Sequence, residues 1–224
     1  MIDQFDPDGD GLRRIGGDLQ AFPRAGLARD APHAAAALLG AVLRRREADG
    51  SWTQVRIVET EAYREDDPAS HSAAGLTART APMFERAGTA YVYRSYGIHW
   101  CLNVTAEEPG VGAAALIRAA VLLSGRHHVR RRRPAARADR ELLRGPGRLC
   151  QALDVDGPRH DGRDLLDPSA DLQLVTDGYR PSPDRIETGP RTGVRLAAAV
   201  PWRFWLAGEP EVSPYRRHPS VQGG

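Results

Sequence analysis

Apolar positions along this chain recur mostly in short runs with a period of two, separated by clusters of Gly, Pro, Asp and Arg, a pattern that predicts strands more than helices. The first exception is an Ala/Leu-rich stretch from Asp30 and Pro32 through Leu39, which reads as a short helix with Asp30 as its N-cap. A hairpin follows: AVLRRR, then Ala48-Asp49-Gly50, then SWTQVRIVETEAY. In its second strand the period of two puts Val55, Ile57, Glu59, Glu61 and Tyr63 on one face. After a polar loop to about residue 80, AYVYRSYGIHWCLNVTA predicts two strands turning near Tyr96-Gly97, and AAALIRAAVLL predicts a third whose one charge is Arg118. A helix is expected to open at Gly145-Pro146-Gly147, with later strands at LQLV, GVRLAAAV and WRFWLAG. Residues 1–24 lack periodicity and read as a loose arm. The expected fold is α+β and β-rich, a single domain over residues 25–215 built on a curved, mostly antiparallel sheet with peripheral helices.

Composition narrows the function classes. Across 224 residues the chain is 41% hydrophobic and 27% charged, ordinary for a soluble domain, and its longest apolar runs are broken well short of a bilayer crossing. The acidic start MIDQFDPDGDGLRR does not read as a secretory signal, so a cytoplasmic, bacterial, nucleoid-associated protein is expected. Cys101 and Cys150 form no CxxC and are expected to be free thiols. All 31 basic residues counted as Lys+Arg are Arg, so no lysine amine exists for Schiff-base chemistry. The net charge is only +2, yet Arg126, Arg130, Arg131, Arg132, Arg133, Arg137, Arg140, Arg144 and Arg148 fall in one stretch, either a solvated face or a phosphate-tracking patch.

The candidate chemistry begins with a carboxylate among tyrosines. Tyr63 shares the expected face of Glu61, Tyr91 and Tyr93 share a face of the next β region, and Asn103 and Arg118 are polar intrusions into apolar strands. A buried Arg118 needs a partner, and either Glu61 or Glu59 can supply it. A carboxylate–Arg pair flanked by tyrosines suits a planar, electron-poor ligand. The seven histidines show no HxxxH or HxH spacing, adjacent His127 and His128 are poorly placed to ligate jointly, and Glu65-Asp66-Asp67 reads as a solvated turn. No metal and no cofactor are expected.

The strings Arg56-Ile57-Val58-Glu59-Thr60-Glu61-Ala62-Tyr63, Tyr91-Val92-Tyr93-x-x-Tyr96-Gly97, Cys101-x-Asn103 and Gly145-Pro146-Gly147-Arg148-Leu149-Cys150-Gln151-Ala152-Leu153 resemble, in order, the alkyladenine (3-methyladenine) DNA glycosylase family. The resemblance runs from about residue 27 to 213. It implies that Glu61 is the general base that activates water, helped by Arg118 and a backbone carbonyl near Thr192. It implies that Tyr63 and Tyr93 sandwich a flipped base, that His71 contacts the base edge through its backbone, and that Asn103 crowds the exocyclic amino group of guanine. It also implies that Tyr96 wedges into the duplex, that Thr77 and Arg79 meet DNA phosphates, and that Ile98 and His99 flank the wedge. Relatives commonly place Met and Tyr where this chain has Ile98 and His99, and the loop 73–82 is shorter on Gly and Arg than the family pattern.

The implied activity is monofunctional: flipping an alkylated or deaminated purine from double-stranded DNA and hydrolysing its N-glycosidic bond, without lyase action, as a monomer with no obligate protein partner and no membrane. The rival readings are a non-catalytic binder of damaged bases and a metal-dependent nuclease.

Overall fold

Nine strands join into one curled antiparallel sheet in the computed structural model, which describes residues 11–220. The strands are β1 (Gln20–Ala21), β2 (Val42–Arg46), β3 (Trp52–Arg64), β4 (Ala90–Ser95), β5 (His99–Thr105), β6 (Ala113–Ser124), β7 (Leu172–Thr176), β8 (Ile186–Gly189) and β9 (Arg203–Leu206). The main order is β1-β7-β2-β3-β6-β5-β4, with β9 bridging β3 and β8. The described α-helices are α1 (Ala31–Ala37), α2 (Arg126–Arg132), α3 (Pro146–Leu153) and α4 (Gly157–His160). The architecture is therefore the β-rich, single-domain α+β arrangement that the alternation suggests. No helix among the described residues is long and apolar enough to cross a membrane.

Local chemistry explains the elements that were legible. Asp30 caps α1, its carboxylate accepting the His33 N–H at 3.0 Å, and Pro32 sits in the first turn where its missing N–H costs nothing. The buried face of α1 is Ala31, Ala34 and Ala35, small enough for the helix to lie close on β3 and β6. Helix α3 buries Leu149, Cys150, Ala152 and Leu153 against β5 and β6.

Strand β3 departs from the simple period of two. Val42 faces Arg56 on one edge, but from Glu59 onward that edge belongs to β9, with Glu59 opposite Trp205 and Glu61 opposite Arg203. On the other edge, Ile57 faces Ala120 and Glu59 faces Ala119, so Val58 is an extra residue, a β-bulge. Val55, Ile57, Val58 and Ala62 all belong to the hydrophobic core, whereas Glu59, Glu61 and Tyr63 enter a polar network. The expectation that all five odd positions from 55 to 63 share a face is thus corrected: the bulge reverses the alternation.

Two further expectations change. Residues 193–200 form turns rather than a strand, because Gly193 and Ala197 take φ of +74° and +47°. The short strand β8 supplies the pairing instead. Of the expected loose arm, residues 1–10 lie outside the described residues, while 11–24 are packed against the body. There β1 pairs with β7, and the wholly buried Arg56 donates to the carbonyls of Leu12 at 2.7 Å and of Arg14. The same guanidinium also grips Asp177 at 2.8 Å. Burial opposes ionisation of Asp177, but bonds from Arg56 and the Gly16 N–H outweigh it and hold the carboxyl at about 2.

Candidate active site

The second half of β3, the β4–β5 hairpin, β6 and two loops enclose a cavity of about 530 Å³. Its lining includes Tyr63, His71, Arg79, Tyr93, Tyr96, Asn103, Arg118 and Thr192, residues that are distant in sequence. Glu61 lies directly behind this wall and is fully buried. One of its oxygens accepts the Tyr63 hydroxyl at 2.8 Å and an Arg118 N–H at 3.2 Å; the other accepts the Thr192 backbone N–H at 2.7 Å. At Thr192 the contact to Glu61 is therefore the amide N–H.

Glu59 and Glu61, left as alternatives by the sequence, have different surroundings. Glu59 is also fully buried, but it accepts Arg118 at 3.0 Å, Arg203 at 2.7 Å, the Ser213 hydroxyl at 2.8 Å and the Ser213 N–H at 2.7 Å. Four donors, none of them a pocket-facing group of β3, make Glu59 an anchor for Arg118 and the C-terminal segment. Arg118 thus bridges both carboxylates. Burial works against its charge, but the Glu61 and Glu59 carboxylates outweigh it and hold the guanidinium above its ordinary value. Tyr63 is pushed well up, first by burial and then by the charge of Glu61, so it stays a neutral donor.

The aromatic wall is tied together by further contacts. Tyr91 and Tyr93 stack with ring centroids 5.5 Å apart, and the His71 ring meets Tyr93 edge-on at 4.5 Å. His71 Nδ1 and the Tyr91 hydroxyl share a hydrogen bond of 2.9 Å. Burial, and after it the Arg79 charge, lower the His71 pKa and keep the ring neutral. Asn103 is buried, its amide donating to the Tyr91 carbonyl at 3.0 Å, which fixes its orientation against the wall. Arg191, which the sequence reading missed, is buried over the Tyr63 ring at 4.7 Å and ion-paired with Asp67. That pair takes Asp67 out of the solvated turn expected at Glu65-Asp66-Asp67. The sequence marks it only by its place directly before Thr192.

The rim carries the other expected residues. A β-turn closed by the Ile98 N–H on the Ser95 carbonyl at 2.9 Å places Tyr96 and Gly97 at φ of +50° and +67°. A tyrosine there is strained by roughly 1–2 kcal/mol, yet the residue is 89% exposed, so packing does not account for its presence. Ile98 and His99 are exposed beside it, and neither lines the cavity. A Cβ built on Gly147 would come within 2.9 Å of the His99 side chain, which explains the glycine in Gly145-Pro146-Gly147. Thr77 does not line the cavity either: its hydroxyl bonds Thr80 at 2.9 Å and folds the loop that carries Arg79.

The arginine-rich stretch divides in two. Arg126 and Arg130 pair with Asp139, Arg132 pairs with Glu47, and Arg133 bonds Gln151 at 2.6 Å. Arg137, Arg144 and Arg148 instead join Arg216 around a second concavity of about 560 Å³, which shares Arg118 and Thr192 with the first. Asp49, His127 and His128 bring ligand-type atoms within 4.8 Å of one another, the one such group of three among the described residues. None of them lines the aromatic cavity, and His128 Nε2 is already engaged by Ser51 at 3.2 Å.

Comparison with known proteins follows the same residues. The chain matches the family described as methylpurine-DNA glycosylase over residues 25–210. A protein from Nocardia farcinica is 46% identical over 200 residues, covering 87% of this chain and 91% of that relative. One from Leifsonia xyli is 45% identical over 195 residues, covering 83% and 88%, and one from Granulibacter bethesdensis is 53% identical over 152 residues, covering 67% and 70%. Each of the three bears the name "Putative 3-methyladenine DNA glycosylase".

Proposed function

Starting from a chain that belongs to the methylpurine-DNA glycosylase family and is thereby a DNA glycosylase, we propose that it turns alkylated or deaminated purines out of double-stranded DNA and hydrolyses their N-glycosidic bond. The observation that carries this reading is the Glu61 carboxylate, held by Tyr63, Arg118 and the Thr192 N–H immediately behind an aromatic cavity. A purine in that cavity lies against Tyr63 and Tyr93, and an N3- or N7-alkylated purine gains cation–π attraction of about 1 kcal/mol or more once desolvated. Tyr96 enters the stack the base has left and offsets part of the extrusion cost of roughly a few kcal/mol.

Cleavage then passes through an oxocarbenium-like sugar. An alkylated purine is cationic and departs without protonation, so one carboxylate is enough: Glu61 removes a proton from the attacking water and stabilises the positive sugar. Arg118 holds Glu61 in place through its hydrogen bond. With no lysine in the chain, the product is an intact abasic site rather than a nicked strand. Arg137, Arg148 and Arg216, beside the cavity, track the phosphates of the bound duplex. The enzyme works alone, as a monomer without cofactor or metal, in the cytosol where the nucleoid lies.

The direct test is release of free base from duplexes carrying 3-methyladenine, 7-methylguanine, hypoxanthine or ethenoadenine, with EDTA present. Tight lesion binding without release would leave a damaged-base binder, and release abolished by EDTA would require a metal mechanism. Borohydride trapping of a protein–DNA adduct that disappears on mutating an internal residue would contradict the monofunctional reading.

A further inference from the structure

Arg79 lines the aromatic cavity with its guanidinium over Tyr93, a ring expected to receive the base. Its guanidinium carbon lies 5.7 Å from the centroid of Tyr93, inside the range of a cation–π contact. Its charge also reaches the Tyr91 phenol and the His71 imidazole, the other members of that wall. Of the other arginines near the cavity, Arg118 is paired with Glu59 and Glu61 and Arg191 with Asp67, while Arg94 lies over the Trp100 ring at 5.4 Å. Among the described residues Arg79 has no carboxylate partner, and it is exposed on a turn held by Thr77 and Thr80.

We propose that Arg79 is a resident cation of the base pocket, stacked on Tyr93 while the protein is free of DNA and exchanged for the purine when a base is turned in. This rests on the glycosylase reading above and adds a gate to it. A planar guanidinium satisfies the same ring face that a flat purine would use, so the two compete for one surface. Duplex DNA supplies what the free protein lacks, a phosphate row for an unpaired arginine on the pocket rim, and draws the side chain outward as the base arrives. When the abasic duplex departs it takes its phosphates with it, and the guanidinium returns to Tyr93 and displaces the free base. The pocket therefore holds loose purines less tightly than purines delivered on a duplex.

The test uses the full chain, its Arg79→Ala variant, free hypoxanthine as probe, and a duplex carrying one hypoxanthine. Circular dichroism melting checks that the variant folds, which the exposure of Arg79 favours. If Arg79 gates the pocket, R79A binds free hypoxanthine about two- to fivefold more tightly than the wild type, the range of one exposed cation–π contact. Its affinity for undamaged duplex falls, because a phosphate partner is lost. Unchanged or weaker binding of free hypoxanthine by R79A, with release from duplex intact in the wild type, overturns the gate and leaves the glycosylase reading standing. Absence of release by the wild-type protein from every lesion duplex removes that reading and the gate with it.

Discussion

Replacing each of the two buried glutamates of β3 by glutamine separates an anchor from a reacting group. Glu59 faces two guanidinium groups and two donors of Ser213, so an amide there meets a donor whichever way it is turned. Glu59→Gln also leaves Arg203 with no other carboxylate partner among the described residues and weakens the hold on Arg118. Breaking one side of a buried ion pair costs about 3–5 kcal/mol. At about 2–4 °C per kcal/mol for a chain of this size, the melting temperature should fall by roughly 6–20 °C. In Glu61→Gln, Arg118 keeps Glu59, and the Tyr63 hydroxyl can turn to accept from the new amide. One or two bonds weaken, costing about 1–2 kcal/mol. Base release should suffer far more, by about 10²–10⁴-fold, the usual contribution of a general base. The assay is single-turnover release from a hypoxanthine duplex beside thermal melting, for both variants. Release by E61Q within tenfold of the wild type would refute the assignment, as would an E59Q protein that melts normally but is inactive, which would exchange the two roles.

Three other outcomes are expected. Asn103→Ser makes room at the base edge beside Tyr91, so single-turnover rates on undamaged guanine should rise relative to hypoxanthine by about ten- to a hundredfold; a ratio that does not move toward guanine places discrimination elsewhere. Neutralising Arg137, Arg148 and Arg216 should make the salt dependence of duplex binding shallower by about 0.9 per lost phosphate contact, while Arg132→Gln, which unpairs Glu47, should lower stability and leave the slope alone. The Arg56–Asp177 pair depresses a carboxyl from its usual 3.8 to about 2, so its stabilisation is present above about pH 4 and is lost as pH falls through 2. Asp177→Asn should therefore cost about 2 kcal/mol or more at pH 7, and its melting temperature should converge with that of the wild type near pH 2; a constant gap across that window would refute the linkage.

What could be read from the chain was whatever local chemistry determines. The Asp30 cap, the Ala48-Asp49-Gly50 turn and the Tyr96-Gly97 turn each act within a few residues, and the structure has all three where the sequence predicts them. The stretch 193–200 misled because its apolar alternation carries no mark of the positive φ at Gly193 and Ala197 that turns it into a pocket wall. The neighbourhood of Glu61 was legible only in part. Tyr63 is two residues away, but Thr192 and Arg191 arrive through tertiary packing from the far end of the chain. Likewise the arginine run looked uniform because sequence shows charge and not partners. Asp139 and Glu47 absorb one half of it, and nothing in the spacing marks which half.

The extra residue at Val58 makes the length of β3, and not only its composition, a constraint on how this chain can evolve. Upstream of the bulge, odd-numbered positions build the core; downstream, they build the polar face that holds Glu61. Point substitutions at Val58 preserve that division as long as the side chain fits. Regular alternation through Val58 at the present length, or one further residue added between Ile57 and Glu59 with the bulge kept, would turn Glu59, Glu61 and Tyr63 toward the hydrophobic interior at once. Insertions between Ile57 and Tyr63 should therefore be purged across descendants of the same gene even where its amino acids drift, and the surface turn at Ala48-Asp49-Gly50 should accept them freely.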